Sequence, residues 1–129
     1  MEPKLRSFLF CDAVLPALEG KMICYGIFSD LFVSKFPITY PQFSTMATWT
    51  KGEGFHIQQL KVMNPAKNMI LSQSPEMYFT LGNLTETVNV KTDVNQLTFH
   101  EPGAYFFQLF LDGEMMEEYE LHLRQKENA

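Results

Sequence analysis

Hydrophobic and polar positions alternate along much of this chain with a period of two, and almost nowhere with the period of a helix. In "FSTMATWT", Phe43, Thr45, Ala47 and Trp49 fall on one parity, and Ser44, Met46, Thr48 and Thr50 on the other. A pleated strand sends successive side chains to opposite faces, so this spacing predicts a half-buried strand with Trp49 inward. Leu5 to Val14 predicts a first strand, with a turn after it at Gly20-Lys21. Met22 to Val33, rich in β-branched and aromatic residues, reads as one strand with a bulge or close backbone approach at Gly26. Pro37 and Pro41 mark an edge or connector, because proline cannot donate to a central ladder. Phe55 to Met63, Met69 to Leu71, Met77 to Leu81, Val88 to Val90 and Leu97 to Phe99 are further strands, most of them short.

The strongest local pattern is the final hairpin, "PGAYFFQLFLDGEMMEEYELHL". Tyr105, Phe107, Leu109 and Leu111 share one face of its first arm, and Met115, Tyr119, Leu121 and Leu123 share one face of its second. A two-residue Asp112-Gly113 loop pairs Leu111 with Glu114 and sets those faces on opposite sides. A three-residue loop, Asp112 to Glu114, pairs Leu111 with Met115, Phe107 with Tyr119 and Tyr105 with Leu121. Burial of the aromatic pair favours the three-residue register. Met115 to Lys126 also holds good helix formers, with Met116, Tyr119 and Leu123 at helical spacing, so a helix is the competing reading. On the strand, Glu118 and Glu120 alternate outward with His122 and form a solvated face instead of a catalytic carboxylate pair.

These elements predict an all-β fold: a mostly antiparallel, immunoglobulin-like β-sandwich of about seven to nine short strands. An open barrel is the structural alternative. The expectation is one domain over residues 1–129, with a short flexible C-terminal tail from about residue 124. Twelve Phe, five Tyr and one Trp supply enough apolar area to offset the entropy of ordering such a chain.

A formal charge of −5 and the lack of any basic run argue against contact with a nucleic-acid backbone. No segment approaches the roughly 18 apolar residues of a membrane-spanning helix. Cys11 and Cys24 are expected to be buried thiols of a reducing compartment, which makes the chain cytoplasmic. In "FCDAV", the negative Asp12 disfavours a thiolate at Cys11, and the two side chains point to opposite faces of a strand. Asp12 and Asp30 are expected to serve as structural polar positions near strand ends. His56, His100 and His122 are scattered, without a metal-ligand spacing, and neither a P-loop nor a G-x-S-x-G elbow occurs. No catalytic residue, metal or cofactor is assigned.

Taken together, "FCDAV", "GKMICYGIFSDL", Phe36-Pro37 and "PGAYFFQLFLDG" resemble a bacterial and phage-associated family of small proteins of unknown function, across most of residues 5–123. The resemblance implies a β-sandwich with an aspartate after the first strand and a Gly-Lys entry into the second. Asp12, Gly20, Lys21, Gly26 and Asp30 match that pattern, whereas "NPAKN" stands where an Asp/Gly-rich turn is expected. The family brings no reaction with it. The final hairpin is also similar to the closing strands of immunoglobulin-like domains.

The functional expectation is a non-enzymatic protein-interaction or accessory module. Phe106 and Phe110 emerge around Gln108 opposite the core set, and these three form the candidate interface for a homodimer or an unidentified protein partner. A small hydrolase with its site assembled from distant loops is the alternative.

Overall fold

The period-two pattern becomes ten strands in the computed structural model, which describes residues 2–127. They are β1 (Lys4–Pro16), β2 (Met22–Phe28), β3 (Asp30–Val33), β4 (Ile38–Thr50) and β5 (Gly54–Met63), followed by β6 (Ile70–Gln73), β7 (Met77–Leu81), β8 (Thr87–Phe99), β9 (Gly103–Leu111) and β10 (Glu114–Gln125). Two sheets pack face to face as a sandwich. One has the order β2-β1-β4-β8; the other runs β3-β10-β9-β5-β6, with β7 also paired to β5. Every pairing is antiparallel except that of β3 with β10.

The all-β, mostly antiparallel expectation therefore holds, but the strands are more numerous and several are long. β1, β4 and β8 each span 13 residues. Val88 to Val90 and Leu97 to Phe99 are two ends of one strand, whose middle pairs with β4 through polar residues such as Asp93 opposite Ser44. The stretch Met22 to Val33 splits at Ser29, where the chain leaves one sheet for the other and continues as β3. Pro41 lies inside β4, yet beyond Ser44, the last residue of β4 that β1 pairs. There β4 has β8 alone as neighbour, so the missing donor costs nothing. At the other end of the chain, Arg124 and Gln125 pair with Phe32 and Val33, and the Lys126 N–H donates to the Val33 carbonyl at 2.7 Å. Ordered pairing thus extends past the point where a tail was expected to begin.

The final hairpin uses both registers weighed from its sequence. Asp112-Gly113 makes a two-residue turn, with Leu111 opposite Glu114 and Phe110 opposite Met115. A bulge between Met115 and Glu117 then shifts the ladder by one residue. Beyond it Phe107 faces Tyr119 and Tyr105 faces Leu121, as burial of the aromatic pair requires. The expected pairing of Leu111 with Met115 is corrected, and Met115 lies exposed near the turn. No helix forms here, because the apolar face of this strand is needed to cover the core.

Tyr105, Phe107, Leu109 and Leu111 are all buried, and Phe107 meets Phe10 of the opposite sheet edge-on at 4.8 Å between ring centres. Trp49 is fully buried and stacks on Phe79. Its indole N–H would be stranded in an apolar core, and Gln58 of the facing sheet accepts it at 2.7 Å. The Gln58 amide in turn donates to the Thr92 hydroxyl at 3.2 Å, and the Thr45 hydroxyl donates to the Thr92 carbonyl at 3.4 Å. This buried chain of polar groups ties β4 and β8 to β5 across the sandwich.

Replacing Gln58 by Leu should therefore cost about 2–3 kcal/mol, because the indole N–H loses its acceptor without regaining water. Trp49→Phe combined with Gln58→Leu should cost less than the sum of the two single changes. Denaturant unfolding of the three variants measures this; strictly additive losses would show that the pair is not coupled.

Candidate functional site

Among the described residues, no three His, Cys, Asp or Glu side chains converge as a metal-binding group. The tightest polar cluster joins the β9–β10 turn to the start of β5. His56 Nδ1 lies 2.7 Å from Asp112 Oδ2, and His56 Nε2 lies 2.7 Å from the Glu53 carbonyl. Neither partner has a hydrogen to give, so both bonds form together only when the ring is protonated. The Ile57 N–H donates to Asp112 Oδ1 at 2.9 Å, while the Asp112 N–H donates to the Ile57 carbonyl at 2.8 Å. With both nitrogens engaged, the histidine acts as a latch for the turn, whose Asp112 adopts a left-handed φ of 52°.

Of the two aspartates singled out from the sequence, Asp30 opens β3, whereas Asp12 lies inside β1 and not near a strand end. Arg124 Nε donates to Asp30 Oδ1 at 2.8 Å, and Ser29 donates to its other oxygen, pinning β3 beside β10. Asp12 lies over Gly26 on the neighbouring strand, where φ is +59° and a β-carbon would collide with the carboxylate. Cys11 and Cys24 are both free. They pack in one small cluster with Val14 and Met46. Burial first, and then the neighbouring Cys24, push the Cys11 thiol up to about 11, which leaves it unreactive at neutral pH.

Phe106, Gln108 and Phe110 do emerge on the outer face of the six-stranded sheet, but all three are half-buried. The Lys67 ammonium, from the loop between β5 and β6, sits 4.1 Å above the Phe106 ring, and that of Lys61 sits 4.5 Å above Phe110. Lys67 also reaches Glu118 at 2.7 Å, and Gln108 donates to the other Glu118 oxygen at 3.0 Å. This face is closed by its own cations. Neither lysine was legible as a cover, because their positions depend on the pairing of β5 with β9.

The exposed apolar surface lies elsewhere, on the β1–β2 hairpin. Six of the thirteen exposed large apolar side chains among the described residues are Leu15, Leu18, Met22, Ile23, Tyr25 and Ile27. Beyond the Asp12–Gly26 contact the hairpin folds over the outer side of β4 and covers Met46. Its tip arrives beside β7 and β8, where Met22 helps line a cleft of about 470 Å³ with Met77 to Phe79 and Val88 to Lys91. β2 pairs with β1 alone, so its other edge is free among the described residues. The sequence held a signal for this surface: "MICYGIF" contains no charged residue, unusual for a strand that ends a sheet.

Residues 6–124 match a family of unknown function, DUF6941. The chain belongs to that family. The match includes the apolar hairpin, the histidine latch and nearly all of the final strand of this DUF6941 member. No curated protein matches the sequence. Among solved structures, the chain is similar to the alkylpurine DNA glycosylase AlkC of Pseudomonas fluorescens, bound to DNA containing an abasic-site analogue. The TM-score is 0.54 at 11% identity, over 74% of this chain and 28% of that one. At such identity the likeness concerns the fold alone, and this chain spans little more than a quarter of the glycosylase's length.

The latch gives the DUF6941 chain a pH signature. Burial depresses the His56 pKa, but the hydrogen bonds to Asp112 and the Glu53 carbonyl outweigh it and hold the pKa above the ordinary 6.5. Burial likewise raises the Asp112 pKa, and the hydrogen bonds from His56 and the Ile57 N–H bring it below the ordinary 3.8. The histidine's contribution is present in full below 6.5 and disappears as pH rises through its folded-state value; the aspartate's is present above 3.8 and disappears on acidification. The stability difference between the native chain and a His56→Asn variant should therefore be largest near pH 5–6 and shrink by pH 9. Denaturant midpoints across that range check it; a difference independent of pH would mean that the ring is neutral in the folded protein.

Proposed function

We propose that this chain is a cytoplasmic, non-enzymatic protein-interaction module that pairs with a second copy of itself along β2. The observation that carries the reading is the free β2 edge, seven residues without charge or proline, bearing exposed Ile23, Tyr25 and Ile27 at alternate positions. The other edge strands are guarded. β3 and β6 have four residues each and β7 has five, while β8 carries Lys91 and Asp93. An antiparallel pairing of β2 centred on Tyr25 sets Ile23 against Ile27 of the second copy. It brings no like charges together in a chain of net charge −5 and closes about a twofold axis. The free thiols of Cys11 and Cys24 support placement in a reducing compartment.

The course of the chain supports an immunoglobulin-like sandwich. β1, β4 and β8 lie side by side in one sheet, β5, β9 and β10 in the other, and the β4–β5 and β8–β9 connections cross between sheets. At the second crossing the Tyr105 hydroxyl donates to the Glu101 carbonyl at 2.7 Å, a tyrosine corner four residues long. The reading assigns the contact to β2 and not to Phe106, Gln108 and Phe110, whose rings lie beneath Lys67 and Lys61.

Light scattering over a concentration series tests it. The native chain should run at twice its 14.9 kDa mass. Ile23→Lys with Ile27→Lys should run at the single-chain mass with an unchanged β-rich spectrum, whereas Phe106→Ser and Phe110→Ser should leave assembly intact. Dissociation by the phenylalanine changes alone would move the interface to the six-stranded sheet. A native chain that stays monomeric at every concentration would end the reading.

A further inference from the structure

Two further edges of the sandwich are free, and they face each other. β3 covers β10 from His122 to Gln125 only, so the run from Glu117 to Leu121 has β9 as its one partner. β2 covers β1 from Phe10 onward, leaving Lys4 to Leu9 paired with β4 alone. Between these edges Phe8 stacks on Tyr119, with ring centres 4.5 Å apart and planes 10° from parallel. The stack divides the cleft into two hollows. One, of about 390 Å³, is lined by Phe8, Phe10, Ile27, Phe28, Tyr119 and Glu120 among others. The second, of about 370 Å³, is lined by Glu2, Pro3, Lys4, Leu5, Met116 and Glu117. The cleft thus combines an unpaired row of main-chain groups, two hollows spaced along that row, and three carboxylates against one ammonium.

We propose that this cleft binds an extended segment of another protein, in which apolar side chains alternate with lysine or arginine. The segment adds a strand to β10 beyond the end of β3. Its main chain pairs with Glu117 to Leu121, its apolar side chains enter the hollows on either side of the Phe8–Tyr119 stack, and its cations, on the opposite face of the added strand, meet Glu120. Strand addition of this kind takes its affinity from main-chain hydrogen bonds and its selectivity from pockets for alternate side chains. The excess of carboxylates sets the sign of the charge it accepts. The site shares only Ile27 and Phe28 with the β2 strand and does not use the free β2 edge, so it stands whether or not the chain pairs with itself.

The test uses a short, capped, fluorescent peptide of alternating lysine and valine, followed by anisotropy, with hydrogen exchange of the full chain to locate binding. Two controls accompany it: the same peptide with glutamate for lysine, and the lysine peptide N-methylated at alternate residues. The lysine–valine peptide should bind and slow exchange at Glu117 to Leu121. Both control peptides should bind at least about tenfold more weakly, and so should the lysine peptide to a chain carrying Glu117→Lys and Glu120→Lys. Equal binding of the lysine and glutamate peptides, protection confined to β2, or no binding of the lysine peptide at all would overturn the proposal. Because Ile23→Lys alone alters the β2 strand at a residue that lines neither hollow, loss of self-pairing and loss of peptide binding are read separately with that variant.

Discussion

The hydrogen bond from Trp49 to Gln58 is the constraint around which the two sheets are arranged. An indole fills more of the core than any aliphatic side chain, but it brings one N–H that must have an acceptor. Gln58 supplies one from the opposite sheet, and its own amide then needs Thr92. Each partner fixes the next, so β4, β5 and β8 can meet at one offset only. Apolar packing alone would tolerate sliding of one sheet over the other; a directional bond of 2.7 Å does not.

Much of the fold could be read from alternation, and the misreadings have a common cause. Trp49 inward, the Tyr105 to Leu111 face and the β character of the final segment followed from period two, because those strands bury one side fully. β8 was cut in two because its polar outer row, Asn89, Lys91, Asp93 and Asn95, hid the inward series Val90, Thr92 and Val94. A sheet face that bonds to neighbouring side chains, as Ser44 does to Asp93 and Thr48 to Asn89, looks like a loop in one dimension. The hairpin's sequence suits two registers, and the bulge at Met116 satisfies both. The turn takes its preferred two residues, and the aromatic pairing takes its preferred face.

The surfaces were less legible than the core. Parity alone decides the side on which Phe106 and Phe110 emerge, but what lies over them depends on Lys67, 39 positions before Phe106, and Lys61, 49 positions before Phe110. Exposure on the hairpin follows where β1 parts from β4 after Cys11, beside the Gly26–Asp12 contact. Such events are set by tertiary neighbours and leave only faint marks in composition. The uncharged run of β2 is one of those marks.

The switch of the chain from β2 to β3 has a consequence for how the protein is made. β3 emerges from synthesis early, yet its strand partner is the last to appear: Asp30 and Arg124, which bond to each other, lie 94 residues apart. Until β10 is complete the four residues of β3 have no ladder to join, and the sheet that β10 borders remains open on that side. Closure therefore waits for β10 and needs a long search between distant parts of the chain, the kind of contact that slows folding. A nascent chain stalled before Glu114 would hold the strands of the four-stranded sheet and a second sheet ending at β9, with apolar side chains open to chaperones and to neighbouring chains alike.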